Sequence, residues 1–389
     1  MATKTLNVGL IGSGFMGQAH ADAWRRAGLL YADLPLKPVL HTLADATASI
    51  AEQAAKRFGF AHWTADWREM VHHPEIDIVD ITTPNNMHFD MALAAIHAGK
   101  HVYCEKPLTV SLEEAHILVE EARKANVKTI MAFNNIKTPA AQLAKQMIER
   151  GEIGELTRFR GWFDQGFFND PNLPWSWRCS RELAGSGSLG DLGSHVVSVA
   201  QYLMGPVASV IGQEQTFISE RPEAGQGSGY GATASSQSVK KQVENDDQFQ
   251  ALVRFTNQAA GVIESSRISA GKVFGIAWEV SGTEGTIIMD GERFNELKIA
   301  RYSDSNHDRG FKTIYAGSQV DSFAGFFGFD FAGGGLGYFD IKVIEIYDLI
   351  KGLVSNQPCF PDFTFGYENQ KIIDAMIHSS NRGGVVSIK

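Results

Sequence analysis

Three groups of residues in the 389-residue chain have types and spacings suited to chemistry. The first is Gly12-Ser13-Gly14-Phe15-Met16-Gly17, a G-x-G-x-x-G run directly after the strand-like Leu6-Asn7-Val8-Gly9-Leu10-Ile11. There Gly12 makes a tight turn, Gly14 lets backbone approach a pyrophosphate, and Gly17 lets helix and strand pack closely. The N-terminus of the following helix then faces the phosphates. A glycine-rich turn without a ligand is the plain alternative, but the place of the motif at the first strand-to-helix turn favours a dinucleotide. Phe15 and Met16 belong to the site with the three glycines. The second group is Glu105-Lys106-Pro107, after the fourth strand. Pro107 holds Lys106 extended, and desolvation or a neighbouring cation would lower the lysine pKa toward the working range. A solvated surface lysine is the alternative. The third is Asp191 and His195, four residues apart, so that on a helix they share one face. Leu192, Val196, Val197, Val199 and Leu203 form the packing stripe. A carboxylate beside an imidazole raises its pKa and fixes its orientation, as proton transfer requires. A surface helix pair fits the same spacing. A third metal ligand of convincing spacing is missing, so no metal is expected.

Polar residues around these groups extend the site. Asp45 closes the second strand, where a carboxylate hydrogen-bonds the adenosine ribose and repels a 2′-phosphate, which favours NAD over NADP. Ala46-Thr47-Ala48 follow it, with no arginine. The gap from Gly17 to Asp45 exceeds the expected spacing of about 20 residues, and the surplus in 29–38 reads as a loop insertion. Thr83, Pro84 and Asn85 end the third strand at the carboxyl edge of the sheet, where open α/β sheets bind ligands. Turn chemistry explains Pro84-Asn85 equally well, and His88 reads either way. Trp162, Phe163, Phe167, Phe168, Trp175 and Trp177 offer faces on which a sugar ring stacks, with Asp164, Asn169 and Arg178 for its hydroxyls. An aromatic minicore under a long loop is the rival reading. The glycine-rich 333–337 enters a helix at Tyr338, which reaches toward the pocket.

The elements that position these residues follow from apolar spacing. Strands at 6–11, 38–44, 76–81, 101–104 and 127–133 alternate with helices at 20–28, 49–58, 88–98 and 111–124, the last opened by Ser111 as N-cap. Such alternation predicts βαβ units and a parallel sheet. After Asn134 the pattern changes to a helix over 139–150, a strand over 156–164 and a helix over 188–204. Strands follow at 210–219, 247–255, 259–267, 274–282, 286–289 and 297–299, then helices at 338–354 and 367–380. Gly282-Thr283-Glu284-Gly285 reads as a hairpin turn, and the Gly/Ser/Ala-rich 225–238 as a flexible loop. The fold class is an α/β dinucleotide-binding domain over 1–133, joined to an α+β domain over 134–389 with a large, predominantly antiparallel open sheet.

Composition sets the outer limits. Apolar residues make up 44% and charged residues 20%, enough for a sizeable core. The 35 Lys and Arg against 44 Asp and Glu leave a net charge of −9 with no basic run, a poor match for nucleic acid or an anionic membrane. No apolar run approaches the roughly 18 residues of a membrane span, and the start reads as a strand rather than a signal peptide. Cys104, Cys179 and Cys359 are odd in number and far apart, so a disulfide framework is not expected and a reducing cytoplasm is.

The N-terminal G-x-G-x-x-G, the E-K-P after the fourth strand and the later D-x-x-x-H, in this order and spacing, resemble the glucose-fructose oxidoreductase, inositol dehydrogenase and rhizopine catabolism protein family, over essentially the whole chain. Within it the chain is similar to inositol dehydrogenases and to sugar dehydrogenases of the levoglucosan type. The resemblance implies a Rossmann domain that binds NAD and a second domain whose sheet builds a homodimer or homotetramer. It makes Lys106, Asp191 and His195 the catalytic trio. Trp175-Ser176-Trp177-Arg178 resembles a segment lining the substrate and nicotinamide pocket, so Trp177 and Arg178 count as contacts to both. Relatives often carry arginines where this chain reads Phe133-Asn134-Asn135-Ile136-Lys137; Asn134 and Lys137 are carried over in their place, Asn134 as a cofactor contact. The implied activity is oxidation of a secondary or anomeric hydroxyl of a cyclic polyol or sugar. The alternatives are a non-catalytic nucleotide-binding sensor or scaffold and an NAD-dependent glycosidase.

Overall fold

Short apolar strands joined by amphipathic helices have one low-energy arrangement, a parallel sheet covered on both faces. The computed structural model, which describes residues 4–224, 238–293, 295–327, 332–355 and 357–388, has this arrangement in its first third. The elements are β1 (Lys4–Ile11), α1 (Phe15–Leu30), β2 (Leu36–Ala44), α2 (Ala48–Phe58), β3 (His62–Thr64), α3 (Trp67–His72), β4 (Ile78–Ile81), α4 (His88–His97), β5 (His101–Cys104), α5 (Leu112–Ala125) and β6 (Thr129–Met131). The sheet order is β3-β2-β1-β4-β5-β6, parallel throughout, which is the Rossmann order. All four residues of β4 are buried, as a strand covered on both sides requires. Ser111 caps α5 as expected, its Oγ accepting from Glu114 N at 3.2 Å. The sequence pattern missed β3 and α3, three and six residues long, because neither completes a readable period. The helix expected over 20–28 starts five residues earlier, inside the glycine motif.

The second unit is built on α6 (Pro139–Glu149), β7 (Leu156–Asp164), α7 (Arg181–Ala184), α8 (Ser194–Met204), β8 (Val207–Gln215), β9 (Glu220–Pro222), β10 (Lys240–Gln242), β11 (Gln248–Phe255), β12 (Ala260–Ser266), β13 (Gly275–Gly282), β14 (Gly285–Asp290), β15 (Glu296–Arg301) and β16 (Lys312–Tyr315). Three further helices follow: α9 (Asp321–Phe327), α10 (Tyr338–Val354) and α11 (Phe363–Arg382). The last strand is β17 (Val386–Ser387). Nine strands in the order β16-β15-β14-β13-β7-β12-β11-β8-β17 form one sheet, antiparallel except for the β7–β12 pair. β13 and β14 meet at the anticipated Gly282–Gly285 turn. The helix expected over 188–204 is a π turn, Leu189–Gly193, running into α8. All five residues of its expected packing stripe are buried. Residues 225–237 of the glycine-rich stretch lie outside the described residues. Among the described residues no helix is long and apolar enough to cross a membrane.

The division of the chain differs from the boundary at residue 134. Met1–Lys137 and Gly317–Glu368 form one compact unit, and Thr138–Ala316 with Asn369–Lys389 form the other. The return of 317–368 has a physical cause in buried charge. His20 on α1 is fully buried between two carboxylates, Nδ1 lying 2.8 Å from Asp80 Oδ1 and Nε2 2.9 Å from Glu105 Oε1. Lys342 on α10 donates to the same Glu105 oxygen at 2.9 Å and lies 3.0 Å from Glu345 Oε2. Tyr103 on β5 donates to that Glu345 oxygen at 2.7 Å, and Trp24 Nε1 donates to Asp80 Oδ2 at 2.8 Å. A Rossmann sheet that carries Asp80 and Glu105 inward takes a buried cation beside His20, Lys342, from α10. Lys137 Nζ adds a second tie to α10, 2.6 Å from Asp348 Oδ2.

Burial alone would strip the proton from His20, but Asp80 holds it with help from Glu105, and the pKa is pushed up to about 9. Burial would likewise push the Glu105 carboxyl up, yet Lys342 and His20 outweigh it and hold it well below the usual carboxylate range. Removing one member of such a network leaves an uncompensated buried charge. Lys342→Met is therefore expected to cost about 3–5 kcal/mol in urea unfolding, and an unchanged midpoint would contradict the role given to α10. The folded chain holds the His20 proton more tightly than the unfolded chain, whose histidines titrate near 6.5. The stability from His20 is thus fully present below that pH and fades as pH rises toward 9. The melting temperatures of wild type and His20→Asn should converge over that window; a gap that widens there would exclude a protonated His20.

Candidate active site

The glycine turn is closed by contacts that leave no room for side chains. Gly12 has φ +95°, and a Cβ on Gly17 would stand 2.1 Å from Gly12 O. Thr82 Oγ1, at the end of β4, donates toward Ile11 O at 3.0 Å and Gly12 O at 2.9 Å, pinning the turn from beneath. Gly14 differs from both: a Cβ there would meet nothing within 4 Å. It caps α1 without a side-chain hydrogen bond, so backbone amides of the first turn stay available. Asp45 Oδ2 accepts from Ser13 N at 2.8 Å and Ser13 Oγ at 2.5 Å, which sets its carboxylate at the rim of the turn. Open space over amides and a carboxylate at the end of β2 fit a pyrophosphate and a ribose diol. Phe15 is exposed, its ring 5.6 Å from Phe339, and Met16 is half-buried.

Two residues expected to touch cofactor have buried protein partners. Glu105 is spent on His20 and Lys342, with Oε2 accepting from Lys106 N at 3.2 Å. His88 is fully buried, Nδ1 2.8 Å from Pro107 O and Nε2 2.9 Å from Thr83 O. Burial pulls its pKa down against these two carbonyls. It brackets the turn after β4 to the turn after β5, and so holds Thr83-Pro84-Asn85 beside Lys106-Pro107. Thr83, Pro84 and Asn85 are half-buried, the last opening a short 3-10 turn. Lys106 is half-buried, and its peptide bond to Pro107 is cis. Asn134 is 1% exposed. Its side chain hydrogen-bonds the phenol of half-buried Tyr338, whose pKa burial pushes up. The first unit thus gathers a glycine turn, Asp45, Lys106, Asn134 and Tyr338.

The second unit holds the remaining candidate residues. Asp246 anchors the turn before α8: Oδ1 accepts from Gly187 N at 2.7 Å, and Oδ2 accepts from Ser188 Oγ at 2.7 Å and Leu189 N at 2.9 Å. A Cβ at Gly187 would stand 1.9 Å from Asp246 O. Asp191 lies in the π turn and His195 in the first turn of α8, so their spacing bridges two helical pitches rather than one. Arg178 Nε lies 3.4 Å from Asp191 Oδ2, and its guanidinium sits 4.4 Å over the Trp177 ring. The carbonyl of Arg178 accepts from Asn245 Nδ2 at 3.0 Å and Arg267 Nη1 at 3.3 Å, which fixes the segment. His195 is buried, with its ring edge-on to Phe163 at 5.9 Å.

The remaining aromatics divide. Phe168 and Cys179 pack with Val243, flanked by Phe167, Leu173 and Trp175. Arg221 and Arg267 lie 3.8 and 4.6 Å from the Phe168 ring centre. These residues form a minicore and are not free stacking faces. Sequence reasoning missed Thr82, Asp246 and Lys342. Thr82 stood next to residues already singled out, but Asp246 and Lys342 act across long chain separations and left no local signal.

Known proteins resemble this chain throughout. A family model described as "Oxidoreductase family, NAD-binding Rossmann fold" matches residues 6–133, and one described as "GFO/IDH/MocA C-terminal domain" matches 141–288. Levoglucosan dehydrogenase of Pseudarthrobacter phenanthrenivorans is 39% identical over 386 residues, 99% of this chain and 98% of that protein. A crystal structure of an NAD-binding oxidoreductase from Klebsiella pneumoniae is 57% identical, with TM-score 0.94 and 99% of each chain covered. A levoglucosan dehydrogenase solved with NADH and L-sorbose is 38% identical, with TM-score 0.93 and 99% of each chain covered.

The two glycines that differ in surroundings should fail differently. Gly17→Ala drives a methyl group into Gly12 O and is expected to lower the melting temperature and abolish NADH binding together. Gly14→Ala should leave melting unchanged while NADH fluorescence titration shows affinity lost by about tenfold or more, a contact worth about 1.4 kcal/mol. Full affinity in Gly14→Ala would mean that no ligand approaches this backbone.

Proposed function

This chain belongs to the GFO/IDH/MocA oxidoreductase family, and from that premise we propose that it is an NAD-dependent dehydrogenase of a cyclic polyol or sugar, such as an inositol, aldose or anhydrosugar. The observation that carries the reading is the glycine turn, open only over Gly14 and rimmed by Asp45. NAD, when bound, supplies the carbon that accepts a hydride. With NAD bound, His195 would take the hydroxyl proton of the reacting CH–OH as that carbon becomes a carbonyl. Lys106 assists the proton transfer and steadies the developing alkoxide charge. Asp191 orients His195, and with Arg178 it offers a charged pair to neighbouring hydroxyls. Trp177 gives a face for the ring, and Tyr338 a further hydroxyl contact. Asp45 favours NAD over NADP, and Asn134 offers its amide to the cofactor. The same proposal makes the nine-stranded sheet the assembly surface of a homodimer or homotetramer and the cytoplasm its location.

The test is kcat/KM on a panel of inositols, aldoses and anhydrosugars with NAD and with NADP, read as NADH absorbance. Turnover on none of them, with NADH still bound, would make the chain a nucleotide-binding scaffold. Release of an aglycone without net NADH would make it a glycosidase. On the best substrate, Lys106→Ala and His195→Ala should each lower kcat by about 10²–10⁴-fold while NADH affinity stays within twofold of wild type. Near-normal turnover in either variant would remove that residue from the chemistry.

A further inference from the structure

The outer edge of the Rossmann sheet carries a cluster that the proposed dehydrogenase chemistry does not use. His41 lies on β2, His62 opens β3, and His73 and Glu75 lie in the turn between α3 and β4. One nitrogen or oxygen each from His41, His73 and Glu75 lie within 4.8 Å of one another. His41 Nε2 is 3.5 Å from Glu75 Oε2. The His62 and His73 rings stand 5.0 and 5.2 Å from the His41 ring. Ligands at about 2.0–2.2 Å from a tetrahedral zinc ion lie about 3.4 Å apart, so the His41–Glu75 separation already matches one edge of such a site.

The parts around the cluster are built to hold it. His41 Nδ1 is 2.8 Å from Thr42 Oγ1. A ring whose Nδ1–H is held by an outer partner presents Nε2 as the lone-pair nitrogen, the arrangement of metal-ligating histidines. The turn bearing His73 and Glu75 is fixed at its backbone: Lys100 Nζ donates to His73 O at 2.9 Å and Ile76 O at 2.8 Å, and Asn7 Nδ2 donates to Glu75 O at 2.8 Å. His73 Nδ1 accepts only a long bond from Glu75 N, at 3.3 Å. Displacing that bond frees a second lone pair. Three imidazoles and a carboxylate suit zinc, nickel or copper rather than calcium or magnesium.

We propose that this edge binds one transition-metal ion of the zinc class through His41, His73 and Glu75, with His62 as the adjoining third imidazole. The ion would tie β2, β3 and the turn before β4 together. Sequence spacing could not show the site, because its ligands come from three separate segments.

The probe is ZnCl2 titrated calorimetrically into untagged, EDTA-stripped full chain. We expect one ion per chain with micromolar affinity. His73→Ala and Glu75→Gln, both on the solvent side, should each weaken it at least tenfold, and the pair should abolish it. His41→Ala should do the same, but His41 is buried, so the other two variants carry the test. His97→Ala, a histidine paired with Glu121 at 3.0 Å outside the cluster, should change nothing. Co2+ in place of Zn2+ should give the intense visible bands of tetrahedral coordination, absent from the double variant. Zinc bound equally by wild type and double variant, no zinc bound, or only the weak spectrum of octahedral cobalt would each overturn the site. NADH binding, followed in parallel, should be untouched in every variant, so a failed dehydrogenase reading and a failed metal site remain separable.

Discussion

One buried cation, Lys342, is the condition for the first unit. Asp80 is carried into the interior by β4, whose other residues are apolar, Glu105 directly follows β5, and His20 between them shares its charge with both. Two carboxylates and one imidazolium leave a deficit that Lys342 meets, while Glu345, whose carboxyl burial pushes up, and Tyr103 complete the hydrogen bonding. Such a network is a weak source of net stability, since desolvation offsets much of the attraction. What it does supply is position. Glu105 cannot rotate away without stranding a charge, so the next residues, Lys106 and Pro107, leave β5 from a fixed point. His88 closes the same region from the other side by bridging Pro107 and Thr83.

The second unit solves the same problem with a different device. Asp246 takes three donors from the 187–189 turn, and a π turn follows. Wide turns of this kind cost hydrogen-bond geometry and recur at functional sites. The Arg178–Asp191 pair then stands on a segment whose backbone carbonyl is held by Asn245 and Arg267. In both units the polar residues assigned to chemistry stand on backbone that other polar residues hold fixed.

What the sequence made legible was local. The glycine motif, the strand periods, the Ser111 cap and the hairpin at Gly282–Gly285 are encoded within a few residues each, and they reappear where the pattern put them. Seven strands of the nine-stranded sheet were legible as a run, though not in their order, and the short edge strands β16 and β17 were not. What stayed hidden was the inward turn of Glu105 and His88. Each has the type and place of a ligand contact, and only the partners supplied by His20, Lys342, Thr83 and Pro107 show that both are spent on the scaffold. The aromatic-rich loop left two readings open for a related reason, since a phenylalanine under two arginines and one under a sugar look alike until the arginines are located. The break in the helix at 189–193 leaves no trace in apolar spacing, because the packing stripe continues through it.

The chain leaves the first unit at Lys137 and re-enters it at Gly317. In topological terms the larger part of the second unit is a guest inserted into its host. On a ribosome, the six-stranded sheet emerges with Glu105 already in place and waits through about two hundred further residues for the ammonium that matches it. A fragment ending near the apparent domain boundary would hold every strand and the whole glycine motif, yet lack the counter-ion for its own interior. Completion of the nucleotide-binding half is thereby coupled to synthesis of the half that follows it.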